Sequence, residues 1–217
     1  PQQIDMLAAI ADAFNNSHHL MVEAGTGIGK SIAYLLPAIY WAVHNGERVV
    51  ISTNTINLQD QLIHKDIPLL RDALGLPFRA TVLKGRSNYL CPRRLAALRR
   101  RAPTSVEEMR LFAKILVWLL ESTSGDRSEI TLRGPAERSI WARLSAEDEG
   151  CTLDRCASQM NGACPFYKAR RAAESAHILI VNHALLLSDV MVGNRVLPDY
   201  RYLIVDEVRK LEAATTN

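Results

Sequence analysis

The sequence predicts an α/β fold: a parallel sheet covered by helices on both faces, interrupted by a long, mainly helical insertion. Three observations predict it. Apolar runs with β-branched content alternate with helix-forming stretches as far as Leu83. A glycine-rich turn joins one such run to a long apolar segment. The strand rhythm then stops, and resumes only at His177. Runs without polar alternation suit strands buried on both faces, as parallel strands are.

Taken in order, Leu20-Met21-Val22 centres the first expected strand, over residues 19–23. A helix is expected from Lys30 to about residue 44, then a strand at Arg48-Val49-Val50-Ile51-Ser52. An amphipathic helix follows over residues 56–74, with Pro68 expected to break it because proline lacks the ladder donor. Arg79-Ala80-Thr81-Val82-Leu83 is the third strand; His177-Ile178-Leu179-Ile180-Val181 and Tyr202-Leu203-Ile204-Val205 complete the set. Within the insertion, residues 106–121 read as a helix whose Leu111, Phe112, Ile115, Leu116, Trp118 and Leu119 form a local core.

The turn itself is Ala24-Gly25-Thr26-Gly27-Ile28-Gly29-Lys30-Ser31. Such a turn from strand into helix aims several backbone N–H groups into one hollow, and the helix N-terminus adds partial positive charge there. Lys30 then reaches the β/γ-phosphates of a nucleoside triphosphate, and the Ser31 hydroxyl ligates Mg²⁺. Ala24 stands where the strict pattern has glycine. A plain glycine-rich surface turn is the bland alternative, and the strand–turn–helix context argues against it. Asp206-Glu207 directly follow the last apolar run. An aspartate there holds Mg²⁺, and Glu207 is the candidate to orient and deprotonate the attacking water. Lys30 and Asp206 must therefore meet at one ATP, as in a RecA-like P-loop domain.

At 217 residues and 48% hydrophobic, the chain can bury one good core with a small attached module. It contains no uninterrupted apolar run of eighteen residues and no charged leader segment, so a soluble, cytoplasmic protein without a membrane partner is expected. A net charge of +3 announces nothing by itself. Its distribution says more: Lys84, Arg86, Arg93, Arg94, Arg99, Arg100 and Arg101 lie together without an intervening acid. That run is either a solvated helix face or a phosphate-binding one.

All four cysteines, Cys91, Cys151, Cys156 and Cys164, fall in the insertion, separated by fifty-nine, four and seven residues. Disulfides are not expected in a cytoplasmic protein. Structural zinc usually draws on close cysteine pairs, and these are not close. Proline follows Cys91 and Cys164, as it does some iron–sulfur cysteines. Spacing favours an iron–sulfur centre over zinc, with four inert thiols as the third reading.

The chain as a whole resembles the iron–sulfur helicases of the XPD/DinG type in helicase superfamily 2, the bacterial DinG branch in particular. Pro1-Gln2-Gln3-Ile4-Asp5-Met6 is similar to the tail of the family's opening motif, which makes Gln3 the candidate adenine contact. Glu23 through Ser31 resembles motif I, and Ser52-Thr53-Asn54-Thr55 with Leu58-Gln59 and Gln61-Leu62 resembles motif Ia. Lys84-Gly85-Arg86-Ser87-Asn88-Tyr89-Leu90-Cys91, Trp141 with Glu147-Asp148-Glu149-Gly150-Cys151, and Cys164-Pro165-Phe166-Tyr167-Lys168-Ala169-Arg170 resemble the surroundings of the family's cluster cysteines. Val181-Asn182-His183-Ala184-Leu185-Leu186 fits as well, and Leu203-Ile204-Val205-Asp206-Glu207 resembles motif II.

The resemblance implies a 4Fe–4S cluster on the four cysteines and an ATP-driven, Mg²⁺-dependent, monomeric motor. It would travel 5′ to 3′ on single-stranded DNA and open duplex junctions. It implies that Thr53, Asn54 and Thr55 touch the strand, and Arg99, Arg100 and Arg101 are the candidates to track it from the insertion. It divides the chain into a first motor lobe over residues 1–85 and 172–217, with an iron–sulfur domain at 86–171. Tyr89, Trp118 or Trp141 could stack on bases where exposed, although burial of each ring in the insertion is the expectation. Two departures stand out. Val208-Arg209 follow Asp206-Glu207 where the family has Ala-His. The motifs of a second lobe do not follow motif II, so this stretch is expected to be the N-terminal part of a helicase, inactive by itself. The competing reading is a non-hydrolysing module that binds nucleic acid or a partner and keeps the P-loop and the four-cysteine site.

Overall fold

The computed structural model of the chain describes residues 2–25, 27–147, 151–160 and 163–211, the side chains of 157–160 excepted. Thr26, Pro1 and Asp148-Glu149-Gly150, all named above, lie outside the described residues. In chain order the elements are helix α1 (Gln2–Asn16), α2 (Lys30–Asn45), strand β1 (Val49–Thr53), α3 (Ile56–Gln61), α4 (Ile67–Leu74) and β2 (Ala80–Val82). They continue with α5 (Pro92–Arg99), α6 (Val106–Trp118), α7 (Gly134–Leu144), α8 (Leu153–Met160), α9 (Pro165–Glu174), β3 (Ile178–Asn182), α10 (His183–Met191) and β4 (Tyr202–Val205). The chain forms two compact units. Pro1–Leu83 and Ala172–Asn217 make the first, and Lys84–Arg171 the second.

The first unit is built on a four-stranded sheet in the order β2-β3-β1-β4, each neighbouring pair parallel. All five residues of β1 are buried, which is why Val49-Val50-Ile51-Ser52-Thr53 shows no polar alternation. Helix α2 lays Tyr34, Leu35, Ala38, Ile39 and Ala42 into the same core as Val49, Ile51, Ile178 and Ile180. Each fully buried aliphatic side chain of this kind contributes about 1.5–3 kcal/mol. That burial offsets the loss of a ladder bond at Pro37 inside α2. Phe14, Trp41 and Tyr202 extend the core, with ring centroids 5.4–5.7 Å apart. At the opposite end of the sheet from the acid turn, the Arg48 guanidinium donates to the carbonyls of Glu174, Ala176 and Asp199.

Two sequence expectations need correction here. Residues 19–23 form no strand, and Leu20, Met21 and Val22 are 42%, 88% and 39% exposed. An apolar run becomes a strand only where a neighbour supplies ladder partners. Among the described residues, β4 pairs with β1 alone. Pro68 does not break its helix either. The turn Leu62–Asp66 is π-helical, with Ile67 N–H donating to Leu62 O, and Pro68 sits in the first turn of α4 where its missing donor costs little.

The second unit lies in the chain between β2 and β3, which are hydrogen-bonded neighbours. Among the described residues it holds two small cores. One gathers Leu90, Leu95, Leu98, Leu111, Ile115, Ile140, Trp141 and Leu144; the other surrounds the cysteines. Single antiparallel bridges, Tyr89 to Asp126 and Leu90 to Ser145, stand in for a sheet. A buried ion pair, Lys84 Nζ to Asp126 at 2.7 Å, fixes the same stretch.

Candidate functional site

The glycine-rich turn is set by two left-handed residues, Gly27 (φ 81°) and Gly29 (φ 79°). An L side chain is strained at such angles, so glycine is required there. Gly29 also starts α2, which leaves the first N–H groups of that helix free for an anion. The Gln3 amide donates to Gly29 O at 3.0 Å, and a Cβ built on Gly29 would lie 2.4 Å from the Gln3 nitrogen. Gln3 is thus seated on the turn. Lys30 Nζ donates to Ala24 O at 3.3 Å, which folds the side chain back over the hollow. Ala24, Ile28 and Ser31 are half-buried around it, whereas Gly25 and Gly27 are exposed.

Asp206 reaches this turn through a residue that sequence reasoning missed. The Tyr34 hydroxyl donates to Asp206 Oδ2 at 3.1 Å. Tyr34 follows Lys30 by four residues in α2, so the two share a face one turn apart. Burial first, and the Asp206 carboxylate second, hold the Tyr34 hydroxyl far above its ordinary pKa, so it stays a donor. The Asp206 N–H continues the β1–β4 ladder by donating to Ser52 O at 2.9 Å. Glu207 is exposed and left-handed (φ 52°, ψ 45°), a conformation that costs a non-glycine residue about 1–2 kcal/mol. Val208, Arg209 and Lys210 form a short 3₁₀ turn after it. Strand ends, P-loop helix and carboxylate therefore converge at the carboxyl edge of the sheet, where open α/β sheets place their ligands.

The three residues expected to touch a nucleic-acid strand differ in access. Thr53 is fully buried, with its hydroxyl donating to Thr55 O at 3.4 Å. Thr55 caps α3 by accepting from Leu58 N–H, and it is exposed; Asn54 is half-buried.

In the second unit all four cysteines are buried in one cluster with Tyr89, Ala146, Phe166 and Tyr167. Burial raises the Cys156 thiol to about 12, and its neighbours Cys151, Cys164 and Cys91 push the same way, because thiolates repel one another. At Cys164, burial raises the pKa and the N–H groups of Tyr167 and Phe166 oppose it. Arg86 braces the cluster, donating to Cys151 O at 3.0 Å and lying 4.8 Å above the Phe166 ring. The donor set, four thiols gathered from distant positions, is what a thiolate-held metal centre uses. Among the described residues, no three His, Cys, Asp or Glu side chains stand in metal-holding geometry.

Of the expected tracking arginines, Arg99 and Arg100 are exposed at the end of α5. Arg101 is exposed as well, and its guanidinium makes a two-pronged pair with Glu108 at 2.7 and 2.9 Å. The Arg101 pair first, then the Thr104 N–H, hold the Glu108 carboxyl down at about 2. Tyr89 and Trp141 are buried, the fate expected of rings in the insertion, and half-buried Trp118 donates to Glu129.

A family model described as DEAD/DEAH box helicase matches residues 1–112. The 3′-5′ exonuclease DinG of Bacillus subtilis (strain 168) is 34% identical over 215 residues, covering 99% of this chain and 23% of that protein. The ATP-dependent helicase DinG of Mycobacterium tuberculosis (strain ATCC 25618 / H37Rv) is 38% identical over 234 residues, covering 99% of this chain and 35% of that one. Among solved structures, one named Truncated XPD matches with a TM-score of 0.51 at 16% identity, over 97% of this chain and 53% of that one, a likeness of fold. The chain spans roughly a quarter to a third of the length of these curated relatives.

Proposed function

The chain belongs to the DEAD/DEAH box helicase family, and from that premise we propose that it is the ATP-binding lobe of a DinG-like DNA helicase. The observation that carries this reading is the Tyr34–Asp206 hydrogen bond, which joins the acid turn to the helix that begins at Lys30. In the proposed site the N–H groups of residues 25–31, Thr26 included, cradle the phosphates, and Lys30 neutralises the β/γ charge. Ser31 and Asp206 hold Mg²⁺, Glu207 orients the attacking water, and Gln3 contacts the adenine. Asn54, Thr55 and the backbone at Thr53 meet single-stranded DNA, with Arg99 and Arg100 adding charge from the inserted unit.

We assign the motor lobe to residues 1–85 and 172–217 and an iron–sulfur domain to 86–171. Cys91, Cys151, Cys156 and Cys164 are the residues that would hold a 4Fe–4S cluster. Such a cluster supplies a rigid cross-link between distant parts of the chain, and the lobe's own residues carry the nucleotide chemistry. The proposed substrates are single-stranded DNA and duplex junctions, with 5′-to-3′ travel by a monomer. This lobe by itself binds nucleotide and turns it over slowly, because a P-loop site needs an arginine from across its cleft.

The test is ATP turnover by the whole protein, purified without oxygen, with and without single-stranded DNA. Strong stimulation supports the helicase reading. Nucleotide and DNA binding without turnover favours the second reading, a non-hydrolysing module, which Val208-Arg209 beside the acid pair recommend.

A further inference from the structure

Ser52 is held on two sides. Its carbonyl accepts the Asp206 N–H at 2.9 Å, and its hydroxyl lies 2.7 Å from His183 Nδ1. Both side chains are buried, His183 at 1% exposure and Ser52 at none. His183 is the first residue of α10, whose N-terminus is fixed by Asn182 accepting from Leu185 N–H at 2.9 Å. Burial lowers the His183 pKa, and the nearby Asp206 and Glu207 oppose that shift. Its second nitrogen, Nε2, has no hydrogen-bond partner among the described residues.

A buried ring nitrogen left unpaired is unfavourable, and native structures rarely keep one without a use. Beside it stands Glu207, held left-handed. Through its two contacts Ser52 thus joins the first residue of α10 to the residue that opens the acid turn. Immediately beyond Ser52 come buried Thr53 and then Asn54 and Thr55, the turn that opens α3.

We propose that His183 is a positioning residue that couples the Asn54–Thr55 turn to the Asp206–Glu207 turn through Ser52, so that nucleic acid at the first resets the acids at the second. This rests on the helicase reading, because it presupposes hydrolysis at one turn and strand binding at the other. The plain alternative is a buried histidine that only fills space.

The experiment compares the whole protein with Ser52→Ala, His183→Asn and the double variant. Three quantities are read: the affinity for a fluorescent ATP analogue with Mg²⁺, ATP turnover alone, and turnover with saturating oligo-dT. Coupling through one element predicts that each single variant loses about fivefold or more of the DNA stimulation. Nucleotide affinity and basal turnover stay within about twofold, and the double variant is no worse than His183→Asn. Unchanged stimulation overturns the proposal. So does a loss shared equally by basal and stimulated rates, or one that adds in the double variant. Should His183→Asn fail to fold, judged by its melting curve, Ser52→Ala decides alone. A wild-type protein that hydrolyses ATP without responding to DNA overturns the helicase reading and this proposal with it, whereas normal stimulation in every variant overturns only this one.

Discussion

The two units hold together by different means. The sheet unit gathers thirteen buried residues in one cluster, and five-residue strands buried along their length need no special chemistry to define it. Among the described residues, the helical unit gathers its buried side chains in two smaller clusters. It relies on specific groups: four thiols, the Lys84–Asp126 pair, and Glu108 with its arginine. A continuous apolar core tolerates the loss of a polar contact. A core of this second kind does not.

The sharpest way to break the comparison is at the thiols. On the proposed 4Fe–4S assignment, Cys164→Ser should release iron and destabilise the helical unit by about 3 kcal/mol or more. Hydrogen exchange should then rise across α5–α9 while the amides of β1 and β3 remain protected. Equal loss of protection in both units would mean that they fold as one.

Leu111→Ala follows, at roughly 3 kcal/mol for a fully buried leucine. Leu111 has no exposed surface and belongs to the core of the helical unit. The same exchange experiment should place the damage in α6 and α7 and leave the sheet unit intact.

Arg101→Ala comes next. It leaves the buried Glu108 carboxylate with Thr104 and the more distant Arg143 at 3.5 Å, so the helical unit should melt at a lower temperature, while its effect on DNA affinity should be smaller than that of Arg99→Ala with Arg100→Ala. The pair also sets a pH dependence. The Glu108 carboxyl sits near 2 in the folded unit, against about 4.3 in an unfolded chain. A depressed pKa contributes stability that is present above the unfolded value and lost as pH falls toward the folded one. Melting of the helical unit should therefore weaken between about pH 4.3 and pH 2, and Glu108→Gln should flatten that dependence.

The smallest effect belongs to the sheet unit. Gln59 is fully buried, and neither amide atom has a hydrogen-bond partner among the described residues. Gln59→Leu removes that penalty and should raise stability by up to about 1 kcal/mol in thermal melts. A marked loss would show that a polar contact contributes here too.

Much of the sheet unit was legible because its information is local. Val49–Thr53 and Ile178–Asn182 declare burial on both faces by composition, and Asp206-Glu207 mark a strand's end by position. Tyr34 was not legible. In sequence it is one more member of the buried stripe of α2, and only the fold reveals that its hydroxyl meets a carboxylate far along the chain. The partner of Arg101 was hidden for a related reason. Within a basic run this arginine looks solvated, yet Glu108 lies seven residues on, across a turn whose path the sequence does not announce. Residues 19–23 have the composition of a strand, but pairing depends on a neighbour rather than on the run itself.

The central claim is that Lys30 and Asp206 serve one Mg²⁺–triphosphate site. It is tested most directly by titrating a fluorescent ATP analogue into the protein with Mg²⁺ and with EDTA, for wild type, Lys30→Ala and Asp206→Asn. The account predicts that Mg²⁺ tightens binding in the wild type and that Asp206→Asn abolishes this gain, whereas Lys30→Ala weakens binding under both conditions. A full Mg²⁺ gain retained in Asp206→Asn would contradict it.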